Sequence, residues 1–135
     1  MVLNVEIVSI IILGLLCFLT VLFQASYLAV ASGAGYGFTN RDVPPPGKGP
    51  LGYRIDNTLN NLQEGLAMYL PLVVASSVLG ISNEWTHIAA WIVIISRCLY
   101  VPIYFAGIQK VRTLVWTIGF FAIPAYAVGI LKGLL

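Results

Sequence analysis

Charge is scarce in this chain: 135 residues hold five Asp and Glu and seven Lys and Arg, 9% of the total. A soluble domain carries about one-quarter charged residues, so a water-facing globule is excluded. Basic runs with interleaved aromatics are also missing, and a net charge of +2 gives nucleic acid no electrostatic footprint. The two cysteines, Cys17 and Cys98, stand in apolar stretches with no CxxC motif and no nearby histidine, which argues against a metal site or a disulfide framework. No serine has a Gly-x-Ser-x-Gly context, so serine-hydrolase chemistry has no support.

What remains is apolar, 59% of the chain. Runs of this length and hydropathy predict an all-α membrane protein, a four-helix up-down bundle with spans over about 3–31, 54–79, 85–106 and 111–134. Four such spans and one loop use the whole length, so a single domain is expected. Ala29-Val30-Ala31 looks like a signal-peptidase site, but the preceding segment lacks positive charge and its apolar core is too long, so the first helix is read as retained. Glu6 is its only charge, which leaves that helix lipid-facing or packed. Residues 32–53 hold six glycines, Pro44-Pro45-Pro46 and Pro50, and are expected to form the one substantial loop. Pro71, Pro102 and Pro124 fall inside spans, where neighbouring helices accommodate them.

Arg41, Lys48, Lys110 and Arg112 sit in the first and third loops, whereas the turn between helices 2 and 3 has Glu84 and His87 and no Lys or Arg. The positive-inside rule therefore places loops 1 and 3 in the cytoplasm and both ends of the chain on the other side. Trp85 and Trp116 are expected as interface anchors. His87 is read as an interfacial structural residue, and Asp56 as a helix-start charge favoured by the dipole.

The polar residues that do enter the spans are patterned. Arg54, Asn57, Asn61 and Glu64 recur at three, four and three residues, a single helical stripe continued by Met68. Arg97, Tyr100 and Tyr104 form a second stripe. At about 1.5 Å per residue, Glu64 and Arg97 both lie near mid-membrane, where an isolated charge costs several kcal/mol, so the two are expected to pair. Above them Asn57 with Tyr104, then Arg54 with Lys110 and Arg112, would make a net-positive funnel suited to a small anion. A pair that only fixes helix register competes with this site reading on even terms. A proton-coupled transporter built on Glu64 is a third possibility.

These residues carry a resemblance. Asn61-Leu62-Gln63-Glu64 with Pro71, Arg97-Cys98-Leu99-Tyr100 with Tyr104, and Arg112-Thr113-Leu114-Val115-Trp116 together resemble the MAPEG family, the membrane-associated proteins in eicosanoid and glutathione metabolism. The loop Asn40-Arg41-Asp42 with Pro44-Pro45 is similar to its bacterial branch. The resemblance implies a homotrimer in a bacterial inner membrane that binds glutathione between protomers near the cytoplasmic face. It also implies a glutathione transferase or peroxidase-like enzyme acting on a lipophilic electrophile or hydroperoxide that arrives from the bilayer. Asn61, Glu64, Arg97, Tyr100 and Tyr104 match family residues that contact or organise glutathione, and Arg112 matches the arginine that stabilises its thiolate. Arg54, Arg97 or Lys110 would then receive the carboxylates and Glu64 the ammonium group. Asn57 stands where many members carry an arginine, and Gly33 to Phe38 offers no basic residue where eicosanoid-synthesising members have one. A non-catalytic trimer held by Glu64 and Arg97 remains the alternative.

The topology is directly testable. With Cys17 and Cys98 replaced by alanine, Lys110→Cys is expected to react with an impermeant maleimide only from the cytoplasmic face, and Glu84→Cys only from the other. The reverse pattern would invert the assignment.

Overall fold

The computed structural model describes residues 3–135. It contains four long helices, α1 (Val5–Ser32), α2 (Pro50–Leu79), α3 (Glu84–Ala106) and α4 (Gln109–Leu134), each long and apolar enough to cross a membrane. At about 1.5 Å per residue every one exceeds or matches a hydrocarbon core about 30 Å thick, so the longer ones must tilt or protrude.

The helix ends follow local chemistry. Asn4 caps α1, its side chain accepting from the Ile7 amide. Asn83 begins α3 with a reciprocal capping box to Thr86. Gly80 and Gly107 end α2 and α3 in the left-handed conformation, at φ 67° and 77°, which a side chain would strain.

One boundary differs from expectation. The segment 32–53 is not irregular throughout: Ala34–Phe38 forms a 3-10 turn, and α2 starts at Pro50 rather than near Arg54. Proline occupies the first turn of α2, where its missing N–H has no intrahelical partner to lose and its fixed φ suits the helix. The start is also held by side chains, because the Tyr27 hydroxyl accepts from the Gly49 amide and Lys48 pairs with Asp56.

The chain runs up and down. The Arg54 guanidinium donates to the Phe105 carbonyl, bringing loops 1 and 3 to one end. At the other end Asn83 donates to the Gly129 carbonyl and Ser82 to Glu6, which gathers both ends of the chain and the α2–α3 turn. The core lies in this second half, around Leu13, Tyr69, Val73, Val93, Ile123 and Tyr126. Two buried hydroxyl pairs reinforce it, Ser9 with Tyr69 at 2.8 Å and Ser76 with Tyr126 at 2.7 Å.

Glu6, expected only as a charge near the start of a helix that is lipid-facing or packed, is 1% exposed. Its Oε1 accepts from Ser82 at 2.9 Å and Thr86 at 2.8 Å, and its Oε2 lies 3.6 Å from His87 Nδ1. His87 is thereby the partly exposed cover of a buried carboxylate, which gives its interfacial role a structural content. The rest of α1 presents Ile11, Leu15, Phe18 and Leu22 outward, as a lipid-facing helix must.

Helices α3 and α4 approach closely through glycine. A Cβ on Gly119 would lie 2.3 Å from Ser96 Oγ, and one on Gly129 2.9 Å from Thr86 Cγ2. Small residues at such a crossing let backbones meet and gain dispersion contacts that lipid cannot supply. Gly119→Ala is expected to cost about 1–3 kcal/mol by overpacking and to lower the thermal midpoint in detergent. Ser96→Gly, which removes the clashing atoms, should restore most of that loss; a midpoint unchanged by Gly119→Ala would show that the crossing is loose.

Candidate functional site

The end of the bundle that carries loops 1 and 3 holds a polar-lined cavity. A cavity of about 220 Å³ lies there, lined by Asn61 of α2, Tyr100 and Tyr104 of α3, and Arg112, Thr113 and Trp116 of α4. Four of these, Asn61, Tyr100, Tyr104 and Arg112, are residues that the stripe pattern and the family resemblance single out.

Their geometry is ordered from the bottom upward. Asn61 Nδ2 donates to the Tyr100 hydroxyl at 2.7 Å. Tyr100 is 2% exposed, and its ring meets Tyr104 edge-on with centroids 5.4 Å apart. The Arg112 guanidinium lies over the Tyr104 face, 4.4 Å from the centroid, and is half-buried. Among the described residues no carboxylate pairs with Arg112. A stacked guanidinium without a counter-ion, beside a carboxamide and two phenols, is a positive, donor-rich wall suited to an anion.

Trp116, expected as an interface anchor, is part of this wall. It lies seven residues into α4, about 10 Å below the helix start, and stacks on Phe120 at 4.9 Å. Thr113 belongs to the same lining and had drawn notice only as part of the family motif; its place one residue from Arg112 and three from Trp116 is the available signal.

The other candidates fall elsewhere. Arg54 sits above the cavity but is spent on the end of α3, donating to Phe105 O at 3.2 Å and covering Gly107. Lys110 is exposed outside the lining, so the expected three-cation funnel reduces to Arg112 at its wall. Asp56 is bound by Lys48 and by Gln24, whose amide donates at 2.8 Å.

The expected Glu64–Arg97 pair is not formed. Between residues 54 and 69 the buried positions of α2 are Ile55, Thr58, Leu59, Leu62, Gly65 and Tyr69, one residue out of step with the polar stripe. At 100° per residue that offset turns Asn57 and Glu64 to the side of the bundle, where both are exposed. Arg97 is 2% exposed and lies against Gly65, where a Cβ would be 3.1 Å from its Nη2. Its Nη1 has no hydrogen-bond partner. Arg97 is thus a guanidinium locked inside the bundle, beneath Tyr100, and is not part of the cavity wall. The alternative of a trimer held by a Glu64–Arg97 network loses its ion pair.

That separation has a measurable consequence. In a double-mutant cycle with Glu64→Gln and Arg97→Gln, unfolding free energies are expected to add within about 0.5 kcal/mol, as for independent sites. A coupling of several kcal/mol would restore the ion pair.

Comparison with known proteins adds the family. The model described as MAPEG family matches residues 9–132, nearly the whole chain. No curated protein and no solved structure matches it.

Proposed function

The chain belongs to the MAPEG family, and from that premise we propose that it is a membrane enzyme that binds glutathione in the Arg112 cavity and activates its thiol. The observation that carries this reading is Arg112 itself, an unpaired guanidinium stacked on Tyr104 inside a polar cavity at one end of the bundle. A free cysteinyl thiol has a pKa of about 8.5, and a fixed cation beside it stabilises the thiolate, the nucleophilic form. The thiol proton leaves to water. The sulfur lone pair then forms a bond to an electrophilic carbon, or to a hydroperoxide oxygen, and the displaced electron pair takes up a proton.

Asn61, held by Tyr100, is the positioning donor in this reading, and the Tyr104 hydroxyl and Thr113 offer further polar contacts. The lipophilic second substrate reaches the cavity through the bilayer past Trp116. Tripeptide recognition also needs partners for two carboxylates and an ammonium group, and 220 Å³ falls below the roughly 300 Å³ at which ligand pockets usually begin. A second copy of the chain supplies the remainder, in a homotrimer. The exposure of Asn57 and Glu64 along α2 supports such an assembly, because a carboxylate facing acyl chains at mid-helix costs about 2.5–3.5 kcal/mol and a protein neighbour removes that cost. With loops 1 and 3 cytoplasmic, the site opens to the compartment that holds glutathione, in an inner membrane of the bacterial type.

The test is a titration of the detergent-purified protein with glutathione, followed by ultraviolet thiolate absorbance. A saturable signal is expected. Arg112→Ala is expected to abolish it while leaving binding measurable by calorimetry, and Asn61→Ala to weaken binding by about fivefold, the loss of roughly 1 kcal/mol for one hydrogen bond. A full thiolate signal in Arg112→Ala would remove the assignment of that residue, and no binding to the folded oligomer would remove glutathione as the ligand.

A further inference from the structure

On the opposite half of the bundle, and on a different face, the seam between α3 and α4 is hollow. A furrow of about 350 Å³ runs between Trp85, Ile88 and Ile92 on one side and Ala125 on the other, with Glu84 at its mouth. It passes Ile92 into a second, apolar hollow of about 170 Å³ bordered by Leu99, Val115 and Ile118. The furrow exists because its floor is made of small residues: Ala89 and Ala125 line it, and Gly129 one turn on brings α4 within Cβ-clash distance of Trp85, 2.9 Å.

Its mouth carries two charges of opposite sign. Lys132 of α4 lies over the Trp85 ring, 4.0 Å from the centroid, and Glu84 is the first residue of α3. Both are exposed, and neither belongs to an ion pair among the described residues. The two flank one indole without neutralising each other. Trp85 opens a span, the depth at which an indole sits among headgroups. From Trp85 to Ile95 the furrow descends ten residues, about 15 Å, half of a hydrocarbon core about 30 Å thick. An apolar channel one leaflet deep, topped by an unpaired cation and an unpaired anion at headgroup level, has the dimensions and charges of a phospholipid.

We propose that this seam binds one phospholipid of the ethanolamine type, an acyl chain lying along Ile88, Ile92 and Ile95 and the headgroup spanning Lys132 and Glu84. The phosphate pairs with Lys132 and the primary ammonium donates to Glu84. The charges set the preference. A headgroup with net negative charge would gain Lys132 but meet repulsion from Glu84, and a quaternary choline has no N–H for the carboxylate to accept. The site is independent of the glutathione reading: on α3 its residues lie about 120° around the helix from Arg97, Tyr100 and Tyr104.

The experiment leaves Trp85 as the sole tryptophan, in Trp91→Phe/Trp116→Phe protein reconstituted in phosphatidylcholine vesicles. Brominated-chain phosphatidylethanolamine, phosphatidylglycerol or phosphatidylcholine is then titrated as quencher. Quenching by the ethanolamine lipid is expected to reach half-maximum at a mole fraction at least threefold lower than for the other two. Glu84→Gln should lower that advantage over choline and glycerol lipids, whereas Lys132→Gln, at an exposed helix end, should raise the half-maximal mole fraction of all three, since each carries the phosphate. Equal quenching by all three lipids would reduce the seam to ordinary bilayer contact and overturn the proposal. Protection from all three would overturn it as well, by showing a second copy of the chain in the furrow.

Discussion

The burial of one guanidinium governs the upper half of this bundle. Arg97 reaches inward from α3 against Gly65 of α2, where a Cβ would crowd its Nη2 at 3.1 Å, while Gly119 of α4 makes room for the neighbouring Ser96. A charge at that depth is costly, and it is tolerated in membranes only where protein surrounds it. Once Arg97 occupies the centre, Tyr100 one turn above is fixed on the same face, and Tyr104 and Arg112 stack outward from it. The cavity wall is therefore built from the interior upward. Its stiffness comes from packing below it and not from the loops around it, as a preorganised site requires.

The lower half works by a different rule. There the polar groups are satisfied in pairs, Ser9 with Tyr69, Ser76 with Tyr126, and Glu6 with Ser82 and Thr86, and the intervening space is filled with aliphatic side chains. Four elements are tied at that end, so the helices are free to diverge at the other. Glu6 is the exception within the closed end, since one of its oxygens has only a partly exposed histidine near it.

Much of this was legible in the sequence. Hydropathy and length are enough for four spans because lipid forces every backbone group into a helix, and no other element competes. The polar stripes on α2 and α3 held three of the six wall residues, Asn61, Tyr100 and Tyr104, while the rest of each stripe lies outside the wall. Three features were not legible. The start of α2 depends on Tyr27 and Lys48 reaching across the loop, contacts that composition does not encode. Pairing Glu64 with Arg97 rested on two stripes taken to face each other and on their common depth, and neither fixes the angle at which each side chain leaves its helix. Glu6 looked peripheral because its hydrogen-bond donors, Ser82 and Thr86, lie some eighty positions away, and hydroxyls are too common to be read as partners.

The same angular argument bears on how the site is completed. If Glu64 had faced Arg97, the protomer would have been internally neutral along α2 and its lateral surface acceptable to lipid. Turned outward by one residue's rotation, Glu64 and Asn57 instead make that surface polar at a depth where acyl chains cannot solvate it. A protein neighbour relieves this cost, and the cavity beside it is too small for a tripeptide when walled by a single chain. Both defects lie along α2, on the side that carries Asn61. One contact with a second copy would cover the polar stripe and enlarge the cavity together, so that assembly and substrate recognition draw on the same surface. On the proposed reading, the asparagine at position 57 is less a missing clamp within one chain than a polar contact presented to the next.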